Sequence, residues 1–273
     1  MEGLEALMDM EYPGRFIIVG RDLPGHNDIV AYGVTARSPP NQARKIVDEG
    51  STVKVEPTDP ESIKDADPML VLYNGIRIVN GNIVVSNGRQ TDLIADTIEK
   101  SLGAGVQPAA IGALVNAFER PFLVERKKKG EYIDLTRFEP DAPTNTPRIS
   151  AVLTREGAAI SIVRSIALGE KALRSFFEIP PVKGLGRMIT TYTGQNVPSG
   201  IPIPSFRGEP WEVQLNHDSP KLLATHVYGL LHPKEAGPRI VEPGKDFRVG
   251  VVAMFYDRRT DTVDTYVVNR HVS

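Results

Sequence analysis

Apolar positions along this chain switch between two periods. Phe16-Ile17-Ile18-Val19-Gly20 is a continuous apolar run of β type, followed by a segment rich in Gly, Pro, Asn and Asp and then by Ile29 to Thr35, which together predict a hairpin. Met69 to Tyr73 and Ile76 to Val79 are also strand-like, and Asn80-Gly81-Asn82 separates the latter from Ile83-Val84-Val85-Ser86. An Asn-Gly pair takes the positive φ values of a tight hairpin turn at little cost, so this hairpin is strongly marked. The period then lengthens: in Thr91 to Leu102 the residues Ile94, Ile98 and Leu102 recur at helical spacing, with Gly103 as a C-terminal cap. A second helix is predicted from Pro108, carrying Ile111, Leu114, Val115 and Phe118 on one face and ending at Pro121.

Further along, Arg148 to Leu153 and Ala158 to Arg164 predict a hairpin around Arg155-Glu156-Gly157. A strand at Trp211 to Leu215, a helix near Lys221 to Leu231 and a hairpin from Phe247 to Tyr256 and Asp264 to Val268 follow. Residues 178–210 are rich in Pro and Gly, notably Gln195 to Pro204, which excludes a helix or central strand there. A flexible connector and an ordered loop covering something both fit that composition. Amphipathic helices following antiparallel strands predict helices packed on a sheet, an α+β fold, with residues 1–273 forming a single domain.

Composition narrows the chemistry. Of 273 residues, 41% are hydrophobic and 24% charged, ordinary for a globular chain with a full core. Lys and Arg total 32 against 34 for Asp and Glu, a balance of -2 that offers no global field for nucleic acid or an anionic membrane. Any anion must be held by a local cluster. The absence of cysteine removes disulfides, thiolate metal sites, iron–sulfur clusters and a cysteine nucleophile. The acidic opening MEGLEALMDMEYPGR does not resemble a secretory signal, and no apolar run approaches the about 18 residues of a membrane span, so a cytoplasmic protein is expected.

Several tempting signals fail. Arg126-Lys127-Lys128-Lys129 reads as a solvated turn in a chain of neutral balance. The five histidines form no close metal-ligand pair in the sequence, so no metal is expected. Gly184-Leu185-Gly186 lacks the third glycine of a dinucleotide fingerprint, and Gly244-Lys245 lacks the Ser/Thr of a phosphate loop; no cofactor is expected either.

Other segments carry usable chemistry. Thr35 to Arg44 leaves a strand and enters a loop with Arg37, Asn41 and Arg44, compatible with a solvated loop or with phosphate recognition by arginine's planar fork. Tyr73-Asn74 fits a simple turn or the presentation of a phenol and an amide to a heterocycle. Glu119 closes the predicted helix before Pro121, where the helix dipole disfavours a negative charge, an arrangement suited to proton transfer as well as to an exposed terminal residue.

Taken together, Tyr12-Pro13-Gly14-Arg15-Phe16-Ile17-Ile18-Val19-Gly20, Arg37-Ser38 with Asn41, Tyr73-Asn74-Gly75-Ile76-Arg77-Ile78-Val79, Val85-Ser86-Asn87-Gly88 with Thr91-Asp92, and Asn145-Thr146-Pro147-Arg148-Ile149 resemble, in the same order, the archaeal IMP cyclohydrolase family. The resemblance implies a four-layer αββα sandwich similar to the N-terminal nucleophile hydrolases, a homo-oligomer, and closure of 5-formamidoimidazole-4-carboxamide ribotide to IMP with loss of water. It also implies Glu119 in proton transfer, Tyr73 as a hydrogen-bond or proton donor, and Arg37 as an oxyanion or phosphate ligand. Asn41, Arg44, Asn74, Asn87, Asp92 and Arg148 become candidates for binding the purine ribotide. The chain departs from the family pattern Ser-Arg-Ser-Phe-Pro-Asn-Arg at Ala36, Pro39 and Gln42, which leaves room for a different ribotide. Two other readings are a non-catalytic nucleotide-binding protein of the same fold and an amidohydrolase with a self-exposed nucleophile, for which Gly50-Ser51 offers a cleavage point.

Overall fold

The computed structural model describes residues 3–63, 67–166 and 169–271; Met1 and Glu2, where the acidic amino-terminal segment opens, lie outside them. In chain order the strands are β1 (Arg15–Arg21), β2 (Asn27–Thr35), β3 (Arg44–Asp48), β4 (Thr52–Pro57), β5 (Tyr73–Val79), β6 (Asn82–Ser86), β7 (Leu123–Glu125) and β8 (Tyr132–Asp134). They continue with β9 (Arg148–Leu153), β10 (Ala158–Ile166), β11 (Lys171–Ile179), β12 (Leu185–Thr190), β13 (Trp211–Gln214), β14 (Arg248–Asp257) and β15 (Thr262–Asn269). The helices are α1 (Pro39–Gln42), α2 (Pro68–Val71), α3 (Gln90–Gly103), α4 (Ala110–Ala117) and α5 (Pro220–Leu230), and a 3-10 helix, Leu4–Asp9, precedes β1.

Two antiparallel sheets organise these elements. One has the order β13-β12-β1-β2-β14-β15, the other β11-β10-β9-β6-β5-β4-β3, and β7 and β8 form a separate hairpin. Successive strand residues point to opposite faces, so a strand buried on both sides serves two cores at once. In β1, Ile17 and Val19 pack with Ile83, Val85, Ile149 and Ala151 of the seven-stranded sheet. Phe16 and Ile18 face the other way, against Leu223, Ala224 and Val227 of α5 and Leu4 and Leu7 of the 3-10 helix. The seven-stranded sheet repeats the device, with Val84, Val152 and Ala159 packed on Ile94 and Ile98 of α3 and Leu114 of α4. The fold is α+β, built mainly on antiparallel sheets.

The expected hairpins of β1–β2, β5–β6, β9–β10 and β14–β15 form. Asn80 and Gly81 adopt φ of 46° and 74° in the β5–β6 turn, the left-handed region expected of the pair. Several expectations need correction. Met69 to Tyr73 is not a strand: Asp67 accepts a hydrogen bond from the Met69 amide and Pro68 fixes the first φ, starting the short helix α2 before β5 begins. In α4 the buried face is Ala110, Ala113, Leu114 and Ala117, while Val115 is exposed, because alanines let the helix approach the sheet closely and large apolar residues misstate its orientation. Arg44 is not part of the loop after β2 but opens β3, a strand whose apolar signal is only Ile46 and Val47.

The Pro/Gly-rich segment 178–210, expected to hold no central strand, contains β12, paired with β1 on one side and β13 on the other, because Ile189 and Met188 bury on opposite faces of the sheet. From Thr191 onward the segment is an ordered loop. Its ends are pinned by backbone bridges between Tyr12 and Gly194 and between Tyr192 and Ser205, and Ile203 packs with Tyr12, Tyr192 and Phe247. At one lateral side of the sheets, Asn269 joins β15 to β3: its Oδ1 accepts from the Ile46 amide at 2.9 Å and its Nδ2 donates to the Ile46 carbonyl at 2.8 Å.

Candidate active site

Antiparallel pairing places the starts of β1, β5 and β9 and the end of β12 at the same end of the sheets, and these termini carry Arg15, Tyr73, Arg148 and, just beyond, Tyr192. A cavity of about 320 Å³ opens there, lined by Tyr12, Arg15, Arg37, Ser38, Asn41, Glu139, Asp141, Thr146 and Tyr192 among others. Behind it the Tyr32 and Tyr73 hydroxyls meet at 2.7 Å, one from each sheet. Burial, then the neighbouring Tyr73, raises the Tyr32 phenol well above its ordinary range.

Glu139 is the buried carboxylate of the cavity. It lies 3.9 Å from the Arg15 guanidinium and 3.6 Å from that of Arg148, and all three side chains are buried. Burial outweighs the pull of the two arginines and leaves its carboxyl above the usual glutamate range. For Arg15 burial acts against the charge, but Glu139 and the surrounding phenols hold the guanidinium well above its ordinary value. Beside this group the Thr146 hydroxyl donates to Asp141 and stands 2.8 Å from the Tyr192 hydroxyl. With the threonine proton given to Asp141, Tyr192 must supply the proton of the second bond. Tyr192 also stacks on Tyr12 at 5.5 Å, and burial raises its phenol further above the ordinary value.

Arg37 closes the opposite wall. Its Nη1 donates to Asn196 Oδ1 at 3.1 Å and to the Val197 carbonyl at 2.8 Å, and its guanidinium lies over the Tyr12 ring. The Pro/Gly-rich loop is therefore fastened to the cavity through the arginine that the sequence singled out. Asn196 in turn donates to Glu11 and Glu242.

The fold sends the expected site residues to different places. Arg37 and Asn41 line the cavity itself. Arg44 and Arg148 are buried behind its walls: Arg44 Nε donates to the Asn41 carbonyl, and Arg148 Nε to the Arg137 carbonyl while its Nη1 bonds Gln90. Asn87 is fully buried, accepting from the Ile149 amide and donating to the Pro147 carbonyl, so its bonds hold the β6–β9 end in place. Tyr73, Asn74 and Asp92 line a neighbouring cavity of about 310 Å³, where Asn74 Nδ2 donates to Asp92 Oδ1 at 2.7 Å. Val71 lines one cavity and Leu72 the other, so the two adjoin. Glu119 does not line either cavity; it is exposed in the turn after α4, a helix whose buried side faces the sheet away from the cavity. Ser51 is exposed in the β3–β4 turn, at the far end of β3 from Arg44.

Sequence reading missed Arg15, Glu139, Asp141 and Tyr192 as cavity residues. Arg15 lay inside a quoted motif without being singled out, whereas Glu139 and Asp141 stand in the aperiodic stretch Phe138-Glu139-Pro140-Asp141, ahead of the Asn145 to Ile149 motif.

Fixed guanidiniums, a buried carboxyl and phenols gathered at the shared end of two antiparallel sheets define an α+β protein with a pocket suited to a compact polar molecule. Its residues 12–120 and 127–236 match the family described as IMP cyclohydrolase-like protein, and the chain belongs to that family. It is 30% identical over 181 residues to an IMP cyclohydrolase of Methanococcus aeolicus, covering 66% of this chain and 74% of the relative. Identity to an IMP cyclohydrolase of Methanococcus maripaludis strain C7 is 33% over 152 residues, 56% of this chain. The alignment spans 63% of that relative's length. With an IMP cyclohydrolase of Halobacterium salinarum strain R1 it is 31% over 163 residues, covering 59% and 68% of the two chains.

Proposed function

We propose that this protein is an IMP cyclohydrolase, closing 5-formamidoimidazole-4-carboxamide ribotide to IMP. Membership of the family, joined to a cavity that combines Arg15 and Arg37 with the buried Glu139, is the observation that carries the reading. In this reaction the carboxamide nitrogen bonds to the formyl carbon and gives up one proton. The former formyl oxygen then leaves as water with that proton and the one from the formamido nitrogen. The step is intramolecular, so holding nitrogen and formyl in contact supplies much of the acceleration. What remains is to move protons and stabilise charge on oxygen.

In this reading Glu139 takes the proton-transfer role that the family resemblance assigned to Glu119. Its raised affinity for a proton suits an acid–base group working near neutrality. Arg37 binds the phosphate or the developing oxyanion, Asn41 adds a donor from the same loop, and the Tyr73–Tyr32 pair donates a hydrogen bond from behind the cavity. Asn74 and Asp92 contact the part of the ribotide that extends into the adjoining cavity, while Arg44, Asn87 and Arg148 support the walls. The layers α5, six-stranded sheet, seven-stranded sheet and α3–α4 compose a four-layer αββα sandwich forming one domain. A cytoplasmic, metal-independent homo-oligomer completes the reading, and no helix among the described residues is long and apolar enough to cross a membrane.

Incubating purified protein with the formamido ribotide and following IMP formation tests the proposal. Turnover without added metal supports it. Tight binding of IMP with no turnover favours the non-catalytic reading that Ala36, Pro39 and Gln42 leave open.

A further inference from the structure

His217 and His226 are nine residues apart and look unrelated in the sequence, yet the fold sets them face to face, His217 Nε2 lying 2.9 Å from His226 Nδ1. This corrects the reading that no two histidines pair. His217 comes from the connection between β13 and α5, and His226 lies about two turns into α5. Ser219 caps α5 by accepting from the Leu222 amide, which fixes the start of the helix relative to His217. Both rings open on a cavity of about 360 Å³ formed with Glu5, Glu212, Gln214 and Asn216. This cavity lies on the α5 side of the six-stranded sheet and shares no lining residue with the candidate active site.

We infer that His217 and His226 form a binding site for a single divalent transition-metal ion of the kind that favours imidazole nitrogen, such as Zn²⁺, Ni²⁺ or Cu²⁺. Two nitrogens bound tetrahedrally at the usual zinc–nitrogen length lie about 3.3 Å apart. The observed pair needs to open by only about 0.4 Å to admit the ion. Two imidazoles select against Mg²⁺ and Ca²⁺, which take oxygen donors. Among the described residues no three His, Asp, Glu or Cys side chains already converge on one point. Water therefore completes the shell, with Glu5 the nearby carboxylate able to join it. Glu212 is already engaged at 2.6 Å by Arg187.

The proton inventory sets the character of the site. His217 Nδ1 is buried and has no hydrogen-bond partner, so the metal-free pair places its shared proton between Nε2 of His217 and Nδ1 of His226. When the ion binds, the proton on His217 moves to Nδ1, where no carbonyl or carboxylate accepts it. Metal-ligating histidines are ordinarily supported through that second nitrogen, so this site is exchangeable rather than a permanent structural centre. An ion held there ties α5 to the strand connection before it and stabilises the folded chain by mass action.

The test uses chelator-treated full-length protein titrated calorimetrically with Zn²⁺, with Mg²⁺ as the control and with His226→Ala and His217→Ala as variants. His226 is exposed, so its replacement leaves the packing intact and decides the matter even if His217→Ala fails to fold. One equivalent of Zn²⁺ should bind the wild type, Mg²⁺ should not, and either variant should lose about tenfold or more in affinity. Zn²⁺ should also raise the melting temperature of the wild type and not that of His226→Ala. Failure of the wild type to bind Zn²⁺, or binding that His226→Ala retains at full strength, overturns the inference.

Discussion

Two glutamates separate what a residue is from where it stands. Glu139 is enclosed by Arg15 and Arg148, whereas Glu119 lies in solvent after α4. Under the proposed function, Glu139→Gln should abolish most turnover, while Glu119→Gln should leave stability within about 0.5 kcal/mol and activity near wild type, as surface substitutions do. Steady-state rates of IMP formation for the two variants make the comparison. The pH dependence follows from the same burial. Because Glu139 holds its proton above the usual glutamate range, a reaction needing its carboxylate should lose rate, as pH falls, at a pH above the ordinary glutamate value of about 4.3. An acid limb at or below that value would remove Glu139 from the proton-transfer role. Arg37→Ala should weaken ribotide binding by roughly ten- to over a hundredfold, the range of one charge-assisted contact, and Arg37→Lys should recover only part of it. If the dephosphorylated riboside suffers as much as the ribotide, Arg37 acts on the base or the reacting oxygen instead of the phosphate. Of these residues Arg37, Arg148 and Glu119 were singled out from the sequence, whereas Arg15 and Glu139 were not. Glu139 was hidden because its role depends on arginines supplied by β1 and β9, contacts that no local period records.

At the level of elements, legibility followed the strength of the local signal. The β5–β6 hairpin was readable because Asn80-Gly81 specifies its own turn, and α3 because Ile94 and Ile98 recur at helical spacing on its buried face, although Gly103, expected as the cap, is its last helical residue and Ala104 caps it. The short strands β3, β4, β7 and β8 carry too few alternating residues to stand out, and they exist because neighbouring strands and helices complete their bonds and burial. The face of α4 misled because its packing depends on small residues, which hydrophobic periodicity weighs lightly. In the Pro/Gly-rich segment, composition fitted the loop after Thr190 but hid the interior strand β12, and it could not foresee Asn196, whose amide touches Arg37, Glu11 and Glu242 at once. Asn196→Ala should cost about 1–3 kcal/mol, the range for stranding buried polar partners. It should also raise KM for the ribotide more than it lowers kcat, since the loop positions Arg37. Denaturant unfolding and steady-state kinetics read the two effects separately, and a variant unchanged in both would show that the loop holds Arg37 without this amide.

For the molecule as a whole, strands that serve two cores at once couple the layers, so unfolding should be one cooperative transition, with fluorescence and circular dichroism giving coincident midpoints. Separation into two stable fragments after cleavage near residues 195–205 would contradict a single domain. The Asn269 amide has a wider meaning for the same architecture. By accepting from Ile46 and donating back to it, this side chain imitates a peptide group and continues the ladder across the gap between β15 and β3. Exposed strand margins invite other chains to add themselves. A single asparagine thus acts as a zip-stop on one flank, denying a neighbouring molecule the amide and carbonyl of Ile46. Asn269→Ala should speed deuterium uptake at Ile46 and make the protein more prone to self-association on warming.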